Sequence, residues 1–195
     1  MISTLVLATR NEHKVRELSA MLGELGIAVR SMRDYPQCGE VEEDGETLEE
    51  NALKKARAAF ACTGQPVIAD DTGLEVHYLL GEPGVYSARF AGEDATYEDN
   101  NRLLLKRLNQ APPRRRKARF RCIVAFVAPG IEEMFEGRLD GSILFSPRGS
   151  NGFGYDPLFQ PEGSPHSLAE IAPDEKNRIS HRSRALAKFI DYLKR

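Results

Sequence analysis

Thr9-Arg10-Asn11-Glu12-His13-Lys14 follows a short apolar run and precedes a helical pattern. A strand-to-helix junction exposes free backbone N–H groups and the positive end of a helix dipole. Lys14 adds a full charge, so the segment can cradle phosphate. It is not a P-loop, because the glycines and the Lys-Ser/Thr pair are absent, and a plain helix cap would use the same residues. A second group is acidic: Glu40, Glu42, Glu43, Asp44, Glu46, Glu49 and Glu50 crowd eleven positions. Glu49 and Glu50 suit a helix N-terminus. Glu42 and Glu43 precede the cap and offer the oxygens a hard cation such as Mg²⁺ takes, although a solvated acidic loop has the same composition.

Ala69-Asp70-Asp71-Thr72-Gly73 ends an apolar run. Carboxylates at the C-terminal edge of a buried strand stand where open α/β sheets bind ligands, and can hold a metal or take a proton from water. Gly149 to Pro157 contains three glycines with Phe153, Tyr155 and Asp156 between and beside them. Glycine lets a ligand approach backbone closely, the two rings offer faces for stacking, and Asp156 offers acceptors. Lys176 with Ser180-His181-Arg182 lies near the start of the last helical pattern, where cations oppose the dipole. As donors they can read a base or a phosphate that presents acceptors.

These groups need elements to place them. Ser3 to Thr9 reads as a buried strand. Asn11 caps a helix carrying Val15, Leu18, Leu22 and Leu25, and Gly26 ends it. Ile27 to Met32 is a second strand. Thr47 and Glu50 form a capping box for a helix with Leu53, Ala56 and Phe60 on one face, stopped by Gly64 and Pro66. Val67 to Asp70 and Leu74 to Leu80 read as two short strands. Thr96 caps a helix with Leu103, Leu104 and Leu108, Ala118 to Ala128 and Glu133 to Phe145 read as strands around Pro129-Gly130, and Ser180 to Lys194 as the last helix. Early alternation and later local pairing predict an α/β protein with a mixed sheet. The 195 residues fit one domain, 1–195.

Lys plus Arg total 27 and Asp plus Glu 29, giving a net charge of −2. A general nucleic-acid binder would be strongly basic, and Arg114-Arg115-Arg116-Lys117 reads as a solvated connection after two prolines. No apolar run reaches the ~18 residues of a membrane span. Cys38, Cys62 and Cys122 are odd in number and widely spaced, which predicts small core thiols and a reducing cytoplasm. The four histidines lack zinc-ligand spacing.

The order of the motifs along the chain resembles the inosine triphosphate pyrophosphatase family. Thr9-x-Asn11-x-x-Lys14, Glu42-Glu43, Ile68 to Gly73, Pro83 to Arg89, Gly152 to Pro157, and Glu175-Lys176 with Ser180-His181-Arg182 come in turn, from about Leu5 to Leu186. The resemblance implies a long mixed sheet with flanking helices, two lobes around an active cleft, a homodimer and a need for Mg²⁺. It implies cleavage of ITP, dITP or XTP to the monophosphate and pyrophosphate. Thr9, Arg10, Asn11 and Lys14 would hold the triphosphate, with Lys55 as a further contact. Glu42 and Asp71 would bind the metal, and Asp71 would accept the proton. Thr72 would touch substrate. Phe153, Gly154, Tyr155, Asp156, Lys176, His181 and Arg182 would line the purine site, where donors pair with the C6 oxygen that adenine lacks. His13 stands where related chains often carry glycine. The alternatives are a pyrophosphatase for pyrimidine or other modified triphosphates, and a non-catalytic nucleotide-binding regulator. The carboxylates weigh against the regulator, since a pure anion binder gains nothing from acids beside phosphate.

Overall fold

Leu5, Val6 and Leu7 form the continuous apolar run of a strand covered on both faces, and they lie in β1 (Thr4–Leu7) with no exposed surface. The structure is a computed structural model describing residues 2–23 and 26–195. Asn11 caps α1 (Glu12–Leu22) as expected, its side chain accepting from the backbone N–H groups of His13 and Lys14. Leu18 and Leu22 are buried, and Leu25, expected on the same face, lies outside the described residues. β2 (Ala28–Ser31) pairs parallel with β1, and β1 pairs parallel with β3 (Val67–Val76). The two short strands expected over 67–80 are thus one strand, followed by a 3-10 turn at His77–Leu79. Polar side chains at 70–72 do not interrupt a ladder, because the ladder is made by backbone groups.

Thr47 caps α2 (Leu48–Thr63), accepting from Glu50 N at 3.1 Å. The reciprocal bond expected of a capping box is redirected, since Glu50 accepts from Glu46 N instead. Gly64 ends α2 at φ 64°, a conformation that favours glycine. β4 (Pro83–Gly84) pairs antiparallel with β3. α3 (Tyr97–Arg107) opens with a complete capping box between Thr96 and Asp99. β5 (Lys117–Ala128), β6 (Ile131–Ile143) and β7 (Phe159–Pro161) follow, then α4 (Pro173–Ile179) and α5 (His181–Leu193). Seven residues headed by a proline make α4 too short for a periodic signal, and it was not expected. The seven-stranded sheet has the order β2-β1-β3-β5-β6-β7 with β4 on β3. Parallel and antiparallel pairs coexist, so the predicted mixed α/β class holds.

The chain divides into two compact units. The first comprises Met1–Asp71, Cys122–Gly137 and Arg182–Arg195; the second comprises Thr72–Arg121 and Arg138–His181. Each has its own apolar core. In the first, Leu5, Leu7, Leu18, Ile68, Val124, Phe126, Leu186 and Phe189 pack together. In the second, Leu74, Leu104, Phe120, Leu139, Leu158, Phe159 and Leu168 do so.

Two expectations are corrected. Cys38 and Cys62 are joined by a disulfide with Cα atoms 5.9 Å apart, and only Cys122 is a free buried thiol. Wide spacing in sequence says nothing of spacing in space once α2 folds back, and the argument for a reducing compartment loses its premise. The bond spans a sequence separation of 24, for which loop-closure entropy gives about 3 kcal/mol. Reduction is therefore expected to lower unfolding free energy by about that amount; equal denaturant midpoints with and without dithiothreitol would refute it. Arg116, read as solvated, is 3% exposed. Its guanidinium donates to the carbonyls of Leu108, Ile143 and Leu144, each at 2.8 Å, and lies 4.3 Å from the Phe145 ring centroid. Three fixed acceptors replace the water that a buried cation loses.

Candidate active site

In the first unit, β1, α1, β3 and α2 bring two lysines onto two adjacent carboxylates. Lys14, in the first turn of α1, places Nζ 3.0 Å from Asp70 Oδ2. Lys55, two turns into α2, donates to Asp71 Oδ1 at 3.0 Å and to the Asp70 carbonyl at 2.9 Å. Lys55 also lies 3.1 Å from Glu43 Oε2. Glu43 is brought there by a turn: buried Asn51 accepts from Gly45 N at 2.8 Å, and a Cβ at Gly45 would strike that side chain. Glu42, its neighbour, is exposed. The acid that shares Lys55 with Asp71 is therefore Glu43 and not Glu42.

Burial raises the Asp71 carboxyl, and Glu43 adds to the rise; Lys55 and Lys14 oppose it, leaving a pKa of about 6. Burial also acts on Asp70, but Lys14, Arg182 and Lys55 outweigh it and hold that carboxyl well below the usual range. Two adjacent carboxyls are thus driven apart, one permanently ionised and one poised to exchange a proton near neutrality. Asp71 Oδ2 is buried without a hydrogen-bond partner. If Asp71 is the base, it acts only when deprotonated. We expect kcat/KM to climb with pH through about 6; a flat profile from about pH 5 to 7 would remove Asp71 from that role.

The loop after β1 is more self-contained than its sequence suggests. Thr9 Oγ1 accepts from Asn11 N at 3.1 Å, and Asn11 Oδ1 serves as the α1 cap. Arg10 donates to the Cys38 carbonyl at 2.6 Å and reaches Glu40 at 3.4 Å. His13 meets Arg16 through Nδ1 at 3.1 Å. Alongside backbone N–H, Lys14 and Arg10, the Thr9 hydroxyl and the Asn11 amide nitrogen are donors of the kind an anion takes. Arg182 was expected beside Lys176 and His181. Its side chain is 2% exposed, with Nε on Asp70 Oδ2 at 3.2 Å and one terminal nitrogen on Glu17 Oε2 at 2.6 Å.

The second unit builds a different surface. Lys176 sits in the last turn of α4, where the dipole favours a cation. It is buried, with Nζ 2.6 Å from Asp156 Oδ2 and 5.0 Å from the Phe153 ring centroid. The same Asp156 oxygen accepts from Phe153 N at 2.9 Å. Asp156 thus fixes both the cation and the loop. Half-buried Phe153 contacts Tyr97, ring centroids 5.9 Å apart, and Asn101, one turn along α3, donates to the Gly154 carbonyl. His181 is buried, stacked on Phe120 at 4.6 Å. Tyr155 does not offer the expected stacking face: it is 5% exposed, and its hydroxyl donates to the Ser87 carbonyl at 2.8 Å. Burial raises its pKa and keeps that hydroxyl protonated. Thr72 opens this unit, half-buried.

The Ham1 family model matches residues 5–192, nearly the span over which the motifs run, about Leu5 to Leu186. The chain belongs to the Ham1 family. It is 51% identical over 193 residues to the dITP/XTP pyrophosphatase of Geobacter sulfurreducens, covering 98% of this chain and 97% of that one. It is 50% identical over 189 residues to the dITP/XTP pyrophosphatase of a Thermoanaerobacter species, covering 97% and 96%. The solved HAM1 protein of Coxiella burnetii superposes with a TM-score of 0.90 at 38% identity, covering 100% of this chain and 99% of that one. The family resemblance read from the motif order is thereby borne out. Within this Ham1 chain, sequence reasoning missed Asn51, Glu17, Tyr97 and Asn101. Asn51 and Asn101 carried a usable signal, being polar residues on apolar helix faces; Glu17, three residues after Lys14, carried one only once Lys14 was placed.

Proposed function

We propose that this Ham1 protein hydrolyses non-standard purine nucleoside triphosphates, ITP, dITP and XTP, to the monophosphate and pyrophosphate. The observation that carries the reading is Asp71: a buried carboxyl with its pKa near neutrality, one oxygen on Lys55 and the other without a hydrogen-bond partner. Water attacks the α-phosphorus, the bond to the bridging oxygen breaks, pyrophosphate leaves, and Asp71 takes the proton of the attacking water. Lys14 and Lys55 oppose the charge that grows on the leaving group. Such reactions rest on positioning and charge more than on covalent help.

The donor set fits a hard cation. Asp71 Oδ2 and the neighbouring Glu43 carboxylate are oxygen ligands of the kind Mg²⁺ takes, completed by substrate phosphates and water. Among the described residues no group of three or more acidic, histidine or cysteine side chains forms a self-sufficient site. Bound Mg²⁺ supplies charge neutralisation at the phosphate oxygens; Asp71 and Glu43 would hold it. In the second unit, Phe153 and Lys176, both fixed by Asp156, and His181 supply an aromatic face and donors for a purine with a C6 oxygen.

The reading includes a homodimer, as the resemblance implies, and no nucleic-acid partner, in keeping with a net charge of −2. Among the described residues no helix is long and apolar enough to cross a membrane. The reading places the enzyme in the cytoplasm, where nucleoside triphosphates are made and used. Pyrophosphate release with Mg²⁺, followed across ITP, dITP, XTP, ATP, GTP and dUTP, tests the proposed activity. Preference for the first three supports it; preference for dUTP, or no turnover of any, rejects it.

A further inference from the structure

Three bonds tie residues 32–38 to the loop after β1. Met32 N donates to the Thr9 carbonyl at 3.3 Å, Arg33 Nε to the Arg10 carbonyl at 3.2 Å, and the Arg10 guanidinium to the Cys38 carbonyl at 2.6 Å. The near end of this segment is rooted in β2 and in the 3-10 turn Met32–Asp34, where Met32 is buried. The far end is rooted differently. From Arg33 to Glu40 the one buried residue is Cys38, and it is bonded to Cys62 in the last turn of α2. The acidic stretch beyond needs no such bridge. Glu43 lies on Lys55, Gly45 N donates to Asn51, and Glu46 N donates to Glu50, all on α2 itself. The two cysteines also differ in access: Cys38 is 3% exposed, whereas Cys62 is an exposed residue.

We propose that Cys62 is a thiol-exchange site, and that opening its bond to Cys38 loosens the loop after β1 and weakens its hold on phosphate while sparing Glu43 and Lys55. The assignment of that loop to phosphate rests on the proposed function. The co-reactant is a small dithiol. One of its thiolates attacks Cys62 Sγ, the sulfur that solvent reaches. The Cys62–Cys38 bond breaks, and its electron pair goes to Cys38 Sγ, which takes a proton from water. The second thiol then attacks the mixed disulfide and closes a cyclic disulfide, releasing Cys62 as a thiolate. Two electrons have passed from the dithiol to the protein. Cys38, freed from α2, no longer fixes the carbonyl on which Arg10 is held, and the loop must be ordered at the moment of binding. The disulfides found in reducing compartments are usually transient or redox-sensing, which agrees with a cytoplasmic enzyme.

The probe is inorganic tripolyphosphate, which carries the phosphates without a base. Its binding to the oxidised protein, and to protein reduced with dithiothreitol and kept under argon, is measured by titration calorimetry at a temperature where both forms have the same far-ultraviolet circular dichroism. Reduction is expected to weaken binding about tenfold, the effect of about 1.4 kcal/mol. Cys62→Ser should bind as the reduced wild type does, with or without dithiothreitol. Arg10→Met lacks the bond through which Cys38 acts, so its affinity should respond far less to reduction. Mn²⁺ binding, read by electron paramagnetic resonance, should be the same in both forms of wild type. Oxidised protein treated with glutathione, a monothiol, should yield a mixed disulfide that peptide mapping places on Cys62. A bond that serves only the fold would lower the melting temperature on reduction and leave tripolyphosphate affinity unchanged; that result overturns the inference. So does a reduced protein that does not fold, a parallel loss of Mn²⁺ binding, a full response in Arg10→Met, or glutathione found on Cys38. Absence of ITP hydrolysis by both forms would reject the proposed function and leave the calorimetric comparison standing.

Discussion

Asp71→Asn is expected to lower kcat for pyrophosphate release from ITP by at least about 10²-fold, the lower end of what a positioned general base contributes. The substitution keeps the shape of the side chain and its bond from Lys55, now to an amide oxygen. It removes the only form of residue 71 that accepts a proton, and a negative charge that Lys55 faces at 3.0 Å. Lys55 retains Glu43 and the Asp70 carbonyl, so the lysine stays and the phosphates still meet it. KM should therefore move much less than kcat, and the limb of the pH profile near 6 should vanish. Steady-state kinetics over a pH series checks both. A variant with near-normal kcat would show that another group takes the proton.

Gly152→Ala is expected to cost about 10²-fold in kcat/KM for ITP, corresponding to the loss of about two charge-assisted hydrogen bonds. Gly152 adopts φ 75°, and a Cβ there would overlap Asp156 Oδ2. That single oxygen holds both Lys176 and the backbone of Phe153. Moving it releases the cation and the ring together. The Asp156→Asn variant separates the causes: it keeps the space at Gly152 and removes the carboxylate charge that faces Lys176. If Gly152→Ala binds ITP normally, the Gly-rich loop has no part in recognising the base. Binding of inorganic tripolyphosphate, which the proposed function assigns to first-unit residues, should be unaffected in either variant.

Most elements were legible because periodic apolar patterns and helix caps act locally. Asn11, Thr47, Thr96 and Gly64 behave as their types predict. β3 was split in the reading because its acids looked like a turn, and α4 was missed because seven residues are too few to show a period. The site was legible as a set of motifs and less so as a set of partners. Glu42 and Glu43 are equivalent in the sequence; the Gly45–Asn51 turn decides which one meets Lys55. Phe153 and Tyr155 are both aromatic residues in a Gly-rich loop; the bond from Tyr155 to Ser87 draws one into the core. Arg182 follows His181 directly, yet the carboxylates of Asp70 and Glu17 capture it. In each case the outcome depends on contacts between residues far apart in the chain, which spacing does not encode.

The Cys38–Cys62 bond makes the chain between those two residues a covalent hoop. Glu43, the Thr47 cap, Asn51 and Lys55 all lie within it. Part of the hoop is the outward-facing acidic stretch in which Glu40, Glu42 and Asp44 are exposed, the kind of segment proteases cut first. A single cut there would open the hoop without parting the pieces: the helix that carries Lys14 would stay linked through sulfur to the helix that carries Lys55. While the bond is oxidised, such a nick is an internal scar. Once it is reduced, the same nick leaves Lys14 and Lys55 on separate polypeptides, held together by non-covalent contacts alone.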